Sequence, residues 1–207
     1  ELRYLYLSIG LALISLIFVI LVFIHKKKTI LSDNKPLTKE EASKLIVAGE
    51  TEFVEFKSSL RWDYREEKVN KVLEIVILKS IAAFANAKGG TLFIGVTDDM
   101  DVIGLDNDFN TFKKKDVDYF ELHLRKLINN QYGIAFSNEN LSMKFLTFGE
   151  KTICVIQIYA SSNPVFLKTK NNQGAEIEKF YVRSGNASQE IASLTEINEY
   201  VKVRFGK

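Results

Sequence analysis

The chain has 207 residues, 46% of them hydrophobic and 26% charged, with a formal net charge of +2. Those proportions suit one globular domain plus an accessory segment, and they exclude a disordered polyelectrolyte. A single cysteine, Cys154, and two histidines, His25 and His123, exclude an internal disulfide and a Cys/His zinc cluster.

Residues 4–24 carry no charge. With a rise of about 1.5 Å per residue, a helix of that length crosses a hydrocarbon core of about 30 Å, so a transmembrane helix is expected there. A signal peptide is the weaker reading, because Glu1-Leu2-Arg3 is not a basic leader and no small-residue cleavage site follows. His25, Lys26, Lys27 and Lys28 come next, against a lone Arg3 offset by Glu1, and this bias puts the carboxyl-terminal part in the cytoplasm. The same lysines also read as headgroup anchors. The expected organisation is therefore an anchor with its basic flank over 1–28, a polar linker over 29–37, and a cytoplasmic domain over 38–207.

The domain opens on Thr38-Lys39-Glu40-Glu41, a capping box for a short helix ending at Gly49. Residues 53–57 read as a strand and 58–64 as a loop. From Arg65 the apolar period changes: Val69, Val72, Leu73, Val76, Ser80, Ala83 and Phe84 recur at helical spacing to about Ala87. Lys88-Gly89-Gly90 ends that helix, with a phosphate cradle the minority reading because neither GxGxxG nor a Walker lysine is present. Residues 91–96 form the central strand, and Asp98, Asp99 and Asp101 follow at its carboxyl end, where open sheets place ligands.

Residues 102–105 return as a short partner, and 116–130 repeat apolar residues at helical spacing. A hairpin is expected over 141–148 and 151–159, then short strands over 164–168 and 179–182. Ser193-Leu194-Thr195-Glu196 is a second capping box, opening a last helix through Phe205. Cys154 sits in an apolar alternating run with Ile153, Val155 and Ile158, and reads as a small core residue rather than a nucleophile. Together these elements indicate an α/β or α+β fold, with a mixed, largely antiparallel sheet flanked by helices.

Three stretches carry a resemblance. Gly49-Glu50-Thr51-Glu52-Phe53-Val54-Glu55-Phe56-Lys57, the FANAKGGTLFIGVTDD run from Phe84, and Phe180-Tyr181-Val182-Arg183-Ser184-Gly185-Asn186, in that order, resemble the AlbA-type domain of the Schlafen family. The resemblance spans nearly all of 38–205 and implies a nucleic-acid-binding surface. In nuclease members two glutamates and an aspartate form a divalent-metal site that cleaves RNA, and by position these correspond to Glu50, Glu55 and Asp98. The chemistry is coherent, since Mg²⁺ and Mn²⁺ prefer carboxylate oxygens and can activate water against a phosphodiester. Larger members pair two such lobes, so this single lobe is expected to form a homodimer or higher oligomer. Related microbial domains are described as DNA- or ATP-binding.

Taken singly, any one of these acids reads as a solvated strand end, and Asp99, Asp101, Asp106 and Asp108 read as a wet acidic loop. The first 28 residues carry +3, leaving about −1 on the remainder, so a nucleic-acid surface has to be a local patch. Candidates for it are Lys57 and Arg61, Lys168 and Lys170, and Arg183 near Asn186. Lys113, Lys114 and Lys115 read as a solvated run, while Trp62 and Tyr64 can stack bases or anchor their loop. The function expected is a membrane-anchored nucleic-acid-binding protein, RNA favoured over DNA, acting as a Mg- or Mn-dependent endoribonuclease. The alternative is a non-catalytic sensor of ATP, cyclic nucleotide or nucleic acid signalling through the anchor.

Overall fold

A computed structural model describes residues 36–171 and 173–206. The expected anchor over 4–24 and its basic flank lie outside the described residues. Among the described residues no helix is long and apolar enough to cross a membrane.

The chain enters through α1 (Lys39–Ala48). Its capping box forms as the sequence expects: Thr38 accepts from the Glu41 amide while the Glu41 carboxylate accepts from the Thr38 amide at 2.8 Å. Next come β1 (Val54–Lys57), a small hairpin of β2 (Trp62–Asp63) and β3 (Lys68–Val69), and then α2 (Val72–Asn86). After α2, β4 (Gly90–Ile94) pairs in parallel with β1.

Short helices α3 (Asp106–Asn110) and α5 (Ile134–Glu139) flank the long α4 (Val117–Tyr132). The hairpin β5 (Leu141–Phe148) and β6 (Lys151–Ile158) completes a four-stranded sheet in the order β1-β4-β6-β5, in which only the β1/β4 pair is parallel. A separate antiparallel sheet holds β7 (Phe166–Lys170), β8 (Glu176–Ser184) and β9 (Ala187–Ile191), and α6 (Leu194–Phe205) closes the domain. The sequence suggests one mixed sheet; the structure divides the strands among three.

Both faces of the four-stranded sheet are covered, which explains why β4 and β6 read as continuous apolar runs. Leu92, Ile94, Cys154 and Ile156 pack with Ile77, Ile81 and Phe84 of α2 and with Phe120 and Leu124 of α4. On the other face Phe93, Val155 and Ile153 pack with Phe56 and with Ala42 and Ile46 of α1. Buried Asn86, at the end of α2, ties in the second sheet: its amide donates to Val165 O at 2.8 Å and Tyr181 O at 2.9 Å and accepts from Val165 N at 2.8 Å. Tyr200 and Arg204 of α6 donate to the terminal α2 carbonyls of Asn86 and Ala87.

Two departures from the expected elements have local causes. The helix expected from Arg65 starts only at Val72. Asp63 captures the amides of Arg65 and Glu66 at 3.0 and 3.2 Å, and Asn70 captures that of Val72 at 3.1 Å, so side chains compete with helical bonding and a hairpin forms instead. The Gly89-Gly90 pair does more than end α2. A Cβ on Gly90 would lie 2.3 Å from the Phe84 ring, and one on Gly89 2.5 Å from the Ile158 carbonyl, so only glycine lets the chain turn this tightly from α2 into the sheet.

Cys154 is fully buried, and burial pushes its thiol well above the usual range. Because it is the only cysteine, thiol labelling becomes a probe of global opening. In native buffer, iodoacetamide is expected to leave it untouched over hours and to modify it fully in denaturant, followed by mass spectrometry; rapid native labelling would contradict this packing.

Candidate functional site

Glu55 is buried in the middle of β1, and both its oxygens are taken. Oε1 meets Lys57 Nζ at 2.7 Å, and Oε2 accepts from Arg183 Nη1 of β8. The Arg183 side chain is only 2% exposed. Its guanidinium lies 4.5 Å from the Phe84 ring centroid, and it also donates to Thr51 O at 2.8 Å and Ser188 Oγ at 3.2 Å. Glu50 is engaged as well: its Oε1 accepts from the Phe56 amide at 2.7 Å. Asp98 stands apart, exposed in a turn in which the Thr97 amide donates to Asp101 O and the Met100 amide to Thr97 O.

Glu50 and Glu55 thus each hold a partner within the chain, and Asp98 holds none among the described residues. Among the described residues no three His, Cys, Asp or Glu side chains are gathered so as to hold an ion. Glu55 is paired with two cations, one at each oxygen. A divalent cation there would face Arg183 and Lys57 at contact distance.

The basic candidates are likewise redistributed. Lys57 is committed to Glu55 and to Phe56 O at 2.6 Å. Arg61 is packed against the Phe112 ring at 5.0 Å, with its Nε 3.3 Å from Glu74, so it does not form an open phosphate patch. Arg183 is interior. Lys168 and Lys170 are exposed on β7 but stand opposite Glu178 and Glu176 in the strand register, which cancels their charge locally. Asn186 is exposed in the β8–β9 turn.

Two buried acids that the sequence reading passed over shape this region. Asp108, expected in a wet loop, is 1% exposed and holds the 59–62 segment. It accepts from Ser59 Oγ at 2.8 Å and from the amides of Leu60, Arg61 and Trp62 at 3.0, 2.9 and 3.1 Å. Burial pushes its carboxyl up, against the pull of those donors. Glu74 accepts from His123 at 2.8 Å and balances Arg61. A signal for Glu74 was present, because it falls on the same helical face as Ile77, Leu78 and Ile81. No such signal marks Asp108, whose neighbours Asp106 and Asn107 are equally polar.

The loop fixed by Asp108 walls a cavity of about 570 Å³ at the carboxyl ends of the parallel pair β1 and β4. Trp62, Tyr64, Arg65 and Leu73 line it on one side, Lys57 and Asp98 on the other. Burial pushes the Tyr64 hydroxyl up, while a hydrogen bond to the Asn107 side chain opposes that shift. Asp63 is held below the usual carboxylate range, chiefly by the Asn70 amide that donates to it at 3.0 Å.

The family model described as Schlafen, AlbA_2 matches residues 50–192, well over half of the chain. The chain belongs to the Schlafen AlbA_2 family. No curated protein matches it. Among solved structures, the DIP2311 protein from Corynebacterium diphtheriae is 18% identical with a TM-score of 0.48, over 89% of this chain and 32% of that one. This chain thus spans about a third of that protein's length. The N-terminal domain of a putative ATP-dependent DNA helicase RecG-related protein from Nitrosomonas europaea is 20% identical with a TM-score of 0.37, over 68% of this chain and 83% of that domain. In this Schlafen AlbA_2 domain, two of the stretches that carry the family resemblance meet directly: Glu55 of the first is joined to Arg183 of the third, 128 residues later.

Proposed function

We propose that this Schlafen AlbA_2 domain binds nucleic acid, RNA ahead of DNA, at the cavity beside β1 and β4, and that it does so without cleaving the strand. The observation that carries the binding half is the juxtaposition of Trp62, Tyr64, Arg65 and Lys57 around one cavity in a member of this family. Aromatic faces supply stacking that tolerates any base, and Arg65, the cation of the lining not committed to Glu55, supplies attraction for the adjoining backbone. The preference for RNA comes from the family resemblance. The non-catalytic half rests on Glu55, whose carboxylate is spent on Lys57 and Arg183.

Residues 4–24 would tether this domain to a membrane, with Lys26 to Lys28 on the cytoplasmic side, and tethering would raise the local concentration that favours pairing of two copies. Light scattering of the detergent-solubilised chain is the check on pairing.

The binding test is fluorescence anisotropy of end-labelled RNA and DNA oligonucleotides with the full chain in detergent. Saturable binding, tighter for RNA, is expected; no saturable binding of either would refute the reading. For cleavage, RNA is incubated with Mn²⁺ and wild type, Glu55→Gln or Asp98→Asn protein. Intact RNA in all three is expected, whereas cleavage by wild type that both substitutions abolish would restore the metal-dependent endoribonuclease reading.

A further inference from the structure

We infer that the cavity at the ends of β1 and β4 takes one unpaired, amine-bearing nucleobase, so that the domain engages single strands and prefers adenine, cytosine or guanine to uracil. This rests on the nucleic-acid reading above and names the part of the ligand that the site holds. A volume of about 570 Å³ is that of a small-molecule cleft rather than a groove for a helix. Trp62 and Tyr64 supply aromatic surface, and Leu73 and Ile103 add apolar lining, as a base face requires.

The charges of the lining exclude the alternative occupant, a phosphodiester run. Of its cations, Lys57 is already committed to Glu55 and Phe56 O, which leaves Arg65. Asp63 and Asp98 also line the cavity, and two carboxylates repel a phosphate threaded between them. Asp63 is occupied by the amides of Arg65 and Glu66 and the Asn70 side chain. Asp98 is exposed and takes part in no hydrogen bond or ion pair with another described residue. A free carboxylate at the mouth of an aromatic-lined cavity accepts from an exocyclic amine, which adenine, cytosine and guanine carry and uracil lacks. In a duplex the base faces are stacked on their neighbours, so a base reaches the aromatic lining only when it is unpaired and unstacked. The wall is pre-set for this: Asp108 fixes the 59–62 segment through four hydrogen bonds before any ligand arrives.

The chain contains one tryptophan, Trp62, so intrinsic tryptophan fluorescence reports on this cavity alone. Oligo(A), oligo(U), a duplex, AMP and inorganic phosphate are titrated into the full chain in detergent, with anisotropy of labelled strands measured in parallel. Expected are a saturable Trp62 response to oligo(A), a response to oligo(U) only at about tenfold higher concentration, and none to duplex or phosphate. Tyr64→Leu should weaken oligo(A) about tenfold. Asp98→Ala, in an exposed turn and verified as folded by its unchanged melting temperature, should erase the difference between oligo(A) and oligo(U). Strands that bind by anisotropy while Trp62 stays silent would overturn the inference and leave nucleic-acid binding standing. Equal affinity for oligo(A) and oligo(U) would overturn the amine preference. AMP binding as tightly as oligo(A) would assign the base to a free nucleotide and overturn the single-strand clause. Absence of binding by both measurements would remove the functional reading itself.

Discussion

Arg183→Met is expected to destabilise the domain by about 3 kcal/mol, lowering its melting temperature by about 6–12 °C. The guanidinium is almost wholly buried, lies over the Phe84 ring, and joins β8 to Glu55 of β1 and to the Thr51 carbonyl. Methionine fills much of the same space, so the loss isolates charge and hydrogen bonding rather than volume. What is left behind is a buried carboxylate with only Lys57 to balance it, and breaking one side of a buried pair costs more than removing both. Glu55→Gln added to Arg183→Met should therefore recover part of the loss, with a coupling of at least about 1 kcal/mol in a double-mutant cycle. Urea or thermal unfolding provides the measurement. A single-variant effect below about 1 kcal/mol would mean that the pair is a surface ornament, and additivity would mean that the two residues do not share a role.

Asp108→Ala should be at least as damaging, at about 4 kcal/mol, by the same measurement. It leaves the Ser59 hydroxyl and the Leu60 amide without their acceptor, while the Arg61 and Trp62 amides keep only Ser59 Oγ at 3.0 and 2.6 Å, and each buried donor abandoned outright costs about 1–3 kcal/mol, less where water reaches it. The effect also has a local readout. Trp62 is the end of the segment that Asp108 holds, so its emission should shift to the red in the folded variant, before global unfolding. Asp108→Asn should fall between, because its amide keeps one acceptor oxygen but turns a donor toward a donor. A melting temperature unchanged in the alanine variant would show that the four bonds carry no net weight.

What could be read from the sequence followed from local signals. The capping box at Thr38, the apolar run of β4 and the 141–158 hairpin announce themselves through spacing and turn residues, and the structure has them; at Ser193 the N-cap forms, with the hydroxyl accepting from the Glu196 amide, without the reciprocal bond of a box. The β2–β3 hairpin does not, because strands of two residues have no period to detect, and the apolar positions from Val69 onward imitate one more helical turn. The site was harder for a related reason. Glu50, Glu55 and Asp98 have the right identities and order, yet whether an acid ligates or pairs depends on which cation reaches it. For Glu55 that cation arrives from 128 residues away. Arg183 did carry a hint, standing in line with Tyr181 on alternate positions of an apolar strand, where a charge is tolerated only if paired. Asp108 is legible only once α3 turns it inward.

The hydrogen bond from the Phe56 amide to Glu50 has a meaning for assembly as well. As an outer strand, β1 would ordinarily offer outward amides as a template for a neighbour's backbone. Here the Phe56 amide is closed off by Glu50 and the Val54 amide by the Thr51 carbonyl, so the chain has sealed that border with its own atoms. Two copies crowded side by side cannot extend their sheets through β1, and any fusion of sheets would have to begin from the opposite border, along β5.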